Sequence, residues 1–158
     1  MTTERDMLNL LGKRYSVVTM NAHRYAYAEH VRSSTSWSRR TADFIAMDMW
    51  PSSGLHLHGH EVKCSRSDWL TELRDPSKAE EFKQYMDRWW LVIADRAIVK
   101  PGELPDGWGL IALDRSGGLR MVRDAPVLTP APMPKRMLAA LLRATARTAH
   151  REAARLVA

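Results

Sequence analysis

The chain has a single cysteine, Cys64, among 158 residues, so it cannot form an internal disulfide. It also lacks an apolar run of membrane-spanning length, and its first residues lack the apolar core of a secretory signal. Internal repeats are absent as well. These absences exclude a disulfide scaffold and an integral membrane protein. They lead to the prediction of one cytoplasmic globular domain, long enough to bury a core.

Acidic residues are scarce in the last part of the chain. From Lys135 to Ala158 there are six basic residues and one acid, Glu152, which gives this segment a net charge of +5. The whole chain carries +6, so the other 134 residues contribute only +1. A polyanionic partner is therefore expected to contact the C-terminal segment rather than the body.

Two runs of alternating apolar and polar residues flank the segment Pro51-Ser-Ser-Gly54, and this pattern predicts a β-hairpin. If Trp50 pairs with Gly54 across a three-residue turn, the residue numbers in each pair of the hairpin sum to 104. Asp43 then lies opposite Glu61, and Lys63 shares their face because alternate residues of a strand point the same way. Directly opposed Cβ atoms are about 4.5–5.5 Å apart, so both carboxylates can reach one cation.

Two acids and a lysine at one end of an apolar sheet face indicate a site for a hard divalent cation with oxygen ligands. Without a cation the two carboxylates would repel each other beside an apolar surface. Mg²⁺ is the expected ion, with Mn²⁺ as a substitute. Lys63 would then neutralise a developing negative charge or orient a water molecule.

The same residues resemble a known family motif. An Asp followed, after a turn, by Glu-x-Lys on the next strand is similar to the core of PD-(D/E)XK nucleases, with Asp43 as the first acid and Glu61-Val62-Lys63 as the second part. Ala42 stands in a position where the motif often has Pro. Over roughly residues 24–114, further segments resemble the MmcB-like branch of bacterial DNA-repair proteins and related phage proteins; they begin at Arg40, His60, Tyr85 and Leu104.

The resemblance implies an α/β, restriction-endonuclease-like core with a mixed central sheet flanked by helices. It implies DNA as the substrate and a Mg²⁺ site on Asp43 and Glu61, to which the backbone carbonyl of Val62 would contribute a further ligand. Related proteins often have an extra acid on the helix before the sheet. A helix is predicted here over residues 22–33, so Glu29 is the candidate for a second metal position. The alternative is a surface glutamate paired with Arg24 or Arg32.

Related families also place a Gln or Lys on the crossover helix, where it positions water or phosphate. Gln84 is therefore a further candidate catalytic residue, ahead of Lys78 and Lys83. The alternative for each of these residues is a solvated helix face.

The rest of the chain predicts a strand–helix–strand crossover and a basic tail. Thr3 can cap a first helix that ends at Gly12, and Ser65 and Asp75 can cap later helices. Residues 89–94 read as a buried strand parallel to the Glu61 strand, residues 110–122 as a second hairpin, and residues 33–38 as a loop. The predicted organisation is a nuclease-like domain over 1–125, a Pro-rich connector over 126–134, and a C-terminal basic helix over 135–158 that packs on the same domain.

Four arginines recur every fourth residue in the final helix and form one stripe: Arg143, Arg147, Arg151 and Arg155. Like charges at this spacing repel, and a polyanion would offset the repulsion and release counterions. The stripe is therefore a candidate for contact with DNA phosphates. The alternatives are a solvated helix face or a subunit contact in a homo-oligomer.

Three histidines alternate along the second strand of the hairpin: His56, His58 and His60. Their parity differs from that of Glu61, which places them on the opposite face of the sheet. A zinc site is one interpretation of this spacing. Packing on a partly covered sheet face is the other, with a contact to DNA as a further role.

These patterns lead to the prediction of a Mg²⁺-dependent DNA nuclease that acts in DNA repair, recombination or phage DNA metabolism. The alternative is a non-catalytic DNA-binding protein of the same fold that recruits repair or replication factors. A histidine-based metal sensor is a weaker third interpretation, because the histidines and the acids lie on different faces.

Overall fold

A computed structural model describes residues 1–33 and 40–158. Its helices are α1 (Glu4–Tyr15), α2 (Arg66–Arg74), α3 (Ser77–Lys83) and α4 (Lys135–Val157). Its strands are β1 (Val18–Thr19), β2 (Ala22–His23), β3 (Tyr25–Arg32), β4 (Thr41–Asp48), β5 (Leu57–Lys63), β6 (Arg88–Ile93), β7 (Trp108–Leu113) and β8 (Leu119–Arg123). Within these two ranges, no helix has both the length and the apolar character needed to cross a bilayer.

Six strands form one mixed sheet in the order β3-β4-β5-β6-β7-β8, and β1 pairs with β2 separately. The first three strands of this sheet are antiparallel, β5, β6 and β7 are parallel, and β8 returns antiparallel to β7. The crossover through α2 and α3 makes β6 parallel to β5, as the sequence predicts. The predicted α/β class with a mixed sheet, flanking helices and a C-terminal helix is confirmed.

Both faces of the sheet are covered, which explains the apolar run in β6. Trp89 and Leu91 contact the cluster that α2, α3 and α4 complete, whereas Trp90 and Val92 contact the cluster under α1. A strand that is buried on both sides has no polar face, so its sequence shows no alternation.

The start of α1 is as predicted, but its end is not. Thr3 accepts a hydrogen bond from the Asp6 N–H, and the Asp6 carboxylate accepts one from the Thr3 N–H, which forms a capping box. The helix continues through Gly12 to Tyr15. A Cβ atom at Gly12 would lie 3.4 Å from the Tyr27 hydroxyl, so this glycine allows close packing of α1 on β3 rather than ending the helix.

The helix predicted over residues 22–33 is wrong, because this segment forms β2 and β3. β3 pairs with β4 along its length, from Tyr25 opposite Asp48 to Arg32 opposite Thr41. Pairing with a neighbouring strand outweighs the weak local preference for a helix. The loop predicted over residues 33–38 lies almost entirely outside the described residues.

The register of the hairpin is confirmed. Phe44 lies opposite His60, and Met47 lies opposite Leu57, so the paired numbers sum to 104. The turn contains a 3-10 helix at Pro51–Ser53, followed by Gly54 in the left-handed region with φ 83°. Glycine adopts this conformation without strain, which lets the chain reverse here.

Gly59 allows β5 to pack tightly against the buried indole of Trp89. A Cβ atom at Gly59 would lie 2.3 Å from Cζ3 of Trp89. We expect Gly59→Ala to lower the free energy of unfolding by about 3 kcal/mol, because the core would have to move to admit a methyl group. Denaturant unfolding measures the change. Gly118→Ala is the control, since its Cβ would meet nothing closer than 3.8 Å. Equal midpoints for the two variants would contradict the packing.

Candidate functional site

The hairpin brings Asp43, Glu61 and Lys63 to one end of the sheet. Backbone pairing of β4 and β5 extends to Phe44 and His60. Beyond this pair, the Val62 N–H donates to Oδ2 of Asp43 at 2.8 Å. The aspartate side chain thus accepts a hydrogen bond from the strand that carries the other two residues, which holds its carboxylate against β5.

Lys63 is held between two carboxylates. Its Nζ donates to Oε1 of Glu61 at 2.6 Å and lies 3.1 Å from Oε2 of Glu72. All three side chains are nearly buried, with exposed fractions of 14%, 14% and 9%. Glu72 belongs to α2 and was not predicted as a site residue. Its position three residues after the core residue Trp69 is the signal that could have placed it on the inner side of the helix.

Burial dominates the electrostatics of the carboxylates. It raises the pKa of Asp43 above the ordinary aspartate range, although the Val62 hydrogen bond and the Lys63 charge oppose the shift. Burial and the neighbouring charge of Asp43 raise the pKa of Glu61 further. Burial disfavours the charged form of Lys63, but the charges of Glu61 and Glu72 outweigh it and raise its pKa above the ordinary value. Without a cation, the folded protein therefore disfavours the simultaneous ionisation of Asp43 and Glu61.

Glu4 and His30 approach Asp43 from two other elements. One ligand atom from each of the three residues lies within 4.8 Å of the others, a spacing that a metal ion could bridge. His30 lies on β3 between Glu29 and Val31, and its φ of 50° is unusual for a residue with a side chain. Its Nε2 lies 3.7 Å from Oε1 of Glu4. Sequence reasoning missed both residues.

Glu29 is not brought to these residues. It lies on β3 opposite Phe44, so its side chain is on the opposite face of the sheet from that of Asp43. Its buried carboxylate binds Arg5 at 2.6 Å and Arg151 at 2.8 Å, and its N–H donates to Oγ1 of Thr148. The contacts of Glu29 attach α1 and α4 to the sheet.

Gln84 lies near the end of β5 and β6 that is opposite to the end carrying Lys63. It follows the last residue of α3, and its exposed side chain donates to the Glu81 carbonyl at 3.3 Å. The chain then enters β6 beside His58, whereas Lys63 pairs with Ile93 at the other end of the same strands. The described structure therefore does not bring Gln84 near Lys63.

Three arginines of the stripe contact the body of the protein. Arg147 donates to the carbonyls of Glu29 and His30 at 3.1 and 3.0 Å, Arg151 pairs with Glu29, and Arg155 donates to Oδ1 of Asn9. The fourth arginine, Arg143, is exposed. The predicted helix is confirmed, and these contacts show that the stripe helps attach it to β3 and α1. Binding of the stripe to DNA stays a prediction.

The histidines lie on the opposite face, as predicted. His60 is fully buried: its Nδ1 is 3.2 Å from the Phe44 carbonyl, and its Nε2 is 2.8 Å from the Tyr15 hydroxyl. This arrangement requires Nδ1–H to donate and Nε2 to accept from the hydroxyl. Over residues 1–33 and 40–158, the cluster with metal-ligand spacing consists of Glu4, His30 and Asp43, and none of His56, His58 and His60 belongs to it.

Buried His60 is expected to make the protein less stable in acid. Burial lowers its folded-state pKa to about 3, whereas the ordinary value is 6.5. Above pH 6.5 the imidazole of His60 is neutral in both the folded and the unfolded chain. Below pH 6.5 only the unfolded chain takes up the proton, so the free energy of unfolding falls by up to about 1.4 kcal/mol per pH unit. Between pH 7 and pH 4.5 the wild type should lose about 2–3 kcal/mol more than His60→Gln.

Urea unfolding at several pH values measures this difference. His56→Gln is the control, because this histidine is only half-buried. Parallel stability curves for the wild type and His60→Gln would contradict a neutral, buried His60.

No family model matches the chain, and no curated protein matches it. Among solved structures, it is similar to the SPO1766 protein of unknown function from Silicibacter pomeroyi, with a TM-score of 0.63 and 20% sequence identity. The alignment covers 99% of this chain and 92% of that one. At this identity the similarity concerns the fold alone.

Proposed function

We propose that this protein is a metal-dependent DNA nuclease with a restriction-endonuclease-like core, active in DNA repair, recombination or phage DNA metabolism. The observation that carries the proposal is the convergence of two largely buried carboxylates, Asp43 and Glu61, with Lys63 at one end of a mixed sheet. The similarity of these residues to the PD-(D/E)XK motif, together with the parallel crossover between β5 and β6, supports the same function.

The donor atoms suit a hard divalent cation. Two carboxylates that burial and mutual repulsion disfavour in the ionised form would be stabilised by a doubly charged ion between them. Asp43, Glu61 and the Val62 carbonyl would hold Mg²⁺ or Mn²⁺. When bound, the ion supplies a Lewis acid that polarises a phosphodiester and lowers the pKa of an attacking water.

Lys63 has the environment that a charge-stabilising group needs. Glu61 and Glu72 keep its ammonium group charged and limit its motion. We assign to it the neutralisation of charge that develops on the phosphate in the transition state. Glu72 is a positioning residue, because it acts through Lys63.

Glu4, in place of Glu29, is our candidate for the helix-borne acid that related proteins often have. It lies in the first turn of α1, the helix that precedes the sheet, and it approaches Asp43 together with His30. These three residues are our candidates for a second cation site.

The non-catalytic alternative has one observation in its favour. Both carboxylates that contact Lys63 neutralise its charge in this structure, which would weaken its contact with a substrate phosphate. A DNA-binding protein that recruits repair or replication factors needs no free lysine at this position.

A panel of end-labelled DNA structures tests the proposal: single strand, duplex, flap and junction, each with Mg²⁺, Mn²⁺ or a chelator. We expect cleavage only with a divalent metal, and a loss on the order of 10²–10³-fold in Lys63→Met. Lys100→Met, at an exposed lysine, is the matched control. Cleavage in the chelator would refute the proposal, and binding without cleavage of any substrate would favour the alternative.

A further inference from the structure

A cleft of about 520 Å³ opens on the histidine face of the sheet, opposite the face that carries Asp43 and Glu61. Residues of α1, β3, β4, β5, β6 and β8 line it. Its volume is within the range of about 300–1,000 Å³ that small-molecule sites occupy. The function proposed above does not use this cleft.

The charge in the cleft is unevenly neutralised. Three arginines line it, against two acids, Asp48 and Asp124. Asp48 is buried and binds Arg24 at 2.7 Å. Asp124 lies 3.3 Å from Arg88, but its side chain is 68% exposed, so this pair contributes little.

The third arginine, Arg14, is exposed at the end of α1 and forms no ion pair with the acids of the described residues. The cleft therefore presents two guanidinium groups, those of Arg14 and Arg88, that an added anion could bind.

The cleft also contains an uncharged donor and aromatic rings. Nε1 of Trp90 donates to Nδ1 of His58 at 3.2 Å, so the neutral imidazole carries its proton on Nε2. The planes of the two rings are almost parallel, with 8° between them. Tyr25 forms another wall, where the Arg24 guanidinium lies 5.1 Å from its ring centroid.

We propose that this cleft binds the phosphate group of a nucleotide, either a free nucleotide or the terminal nucleotide of a DNA strand. Arg14, Arg88 and the Nε2–H of His58 are the donors for the phosphate, since guanidinium groups match its oxygens in geometry and charge. The half-buried Tyr25 ring, rather than the 5% exposed Trp90, offers a surface for the base, because every base has a face that can stack. A ligand that has a carboxylate but no ring would contact the donors and leave the aromatic surface unused.

Calorimetric titrations in a chelator test this proposal without involving the metal site. The probes are 5′-dAMP, deoxyadenosine, inorganic phosphate, and a short single strand with a 5′-phosphate or a 5′-hydroxyl. We expect saturable binding of 5′-dAMP or of the phosphorylated strand, with a Kd below about 1 mM. Deoxyadenosine, inorganic phosphate and the hydroxyl strand should each bind at least about tenfold more weakly. Binding of the strand but not of 5′-dAMP would identify DNA as the source of the nucleotide.

Two variants and one control complete the test. Arg14→Met and Arg88→Met should each weaken binding about tenfold, and Arg14, being exposed, can be replaced without disturbing the core. Arg74→Met, at an exposed arginine at the end of α2 that belongs neither to the cleft nor to the stripe, should bind as the wild type does. The proposal is overturned if no phosphate-bearing probe saturates at about 10 mM. It is equally overturned if inorganic phosphate binds as tightly as 5′-dAMP, or if Arg14→Met retains full affinity.

Discussion

Replacing Glu61 with glutamine is expected to abolish both binding of Mn²⁺ and cleavage of DNA, with a loss of rate on the order of 10³-fold or more. The variant loses one of the two carboxylates that would hold the cation. Asp43→Asn should behave alike, and its amide oxygen can still accept the Val62 N–H, so the fold should persist. Calorimetric titration of Mn²⁺ and cleavage assays on the same preparations measure the two effects.

Glu61→Gln should also stabilise the metal-free protein at pH 8. Because the folded-state pKa of Glu61 lies above its ordinary value of 4.5, the fold favours the protonated carboxyl. The stability that Glu61 contributes is therefore fully present below pH 4.5 and decreases as the pH rises towards the folded-state pKa. Glutamine does not titrate and avoids this loss. Denaturant unfolding in a chelator, at pH 5 and pH 8, measures the difference.

Two controls separate the metal site from other acids. Asp106→Asn, at an exposed aspartate, should change neither metal binding nor stability. Asp48→Asn should keep metal affinity but lose stability, because Asp48 lies on the histidine face and binds Arg24 at 2.7 Å. Loss of Mn²⁺ binding in Asp48→Asn together with its retention in Asp43→Asn would overturn the assignment of the site.

The second large effect is expected for Glu29→Ala, which should lower the free energy of unfolding by about 2–3 kcal/mol, because only the carboxylate side of its two ion pairs is fully buried. The carboxylate of Glu29 is buried and binds Arg5 and Arg151, so the substitution removes the partner that both guanidinium groups share. Nε of Arg151 is already buried without a partner among the described residues, so its remaining contacts matter more. The loss should appear as detachment of α1 and α4 from β3.

Denaturant unfolding and hydrogen exchange of α4 measure this effect. Glu152→Ala is the control, because Glu152 is 38% exposed and its pairs with Arg151 and Arg155 are on the surface. Below the unfolding transition, Glu29→Ala should bind Mn²⁺ with the affinity of the wild type. A loss of metal affinity with unchanged stability would instead restore Glu29 as a metal ligand.

Local sequence alone determined the hairpin, the crossover and the final helix. The alternation of β4 and β5 about a Pro–Gly turn leaves one register that buries the apolar residues, and that register pairs Phe44 with His60, next to Asp43 and Glu61. The final helix follows from 23 residues without proline or glycine after a Pro-rich segment. These features depend on periodicity and turn chemistry, which neighbouring residues specify.

Only the tertiary structure decided which other groups meet this pair. Glu4, His30 and Glu72 come from α1, β3 and α2, and no local pattern links them to Asp43 or Lys63. The same holds for β3, whose sequence is compatible with a helix until β4 pairs with it. The arginine stripe shows the reason most directly. Its spacing defines one side of a helix, but the packing of α4 on β3 determines whether that side contacts solvent or the protein.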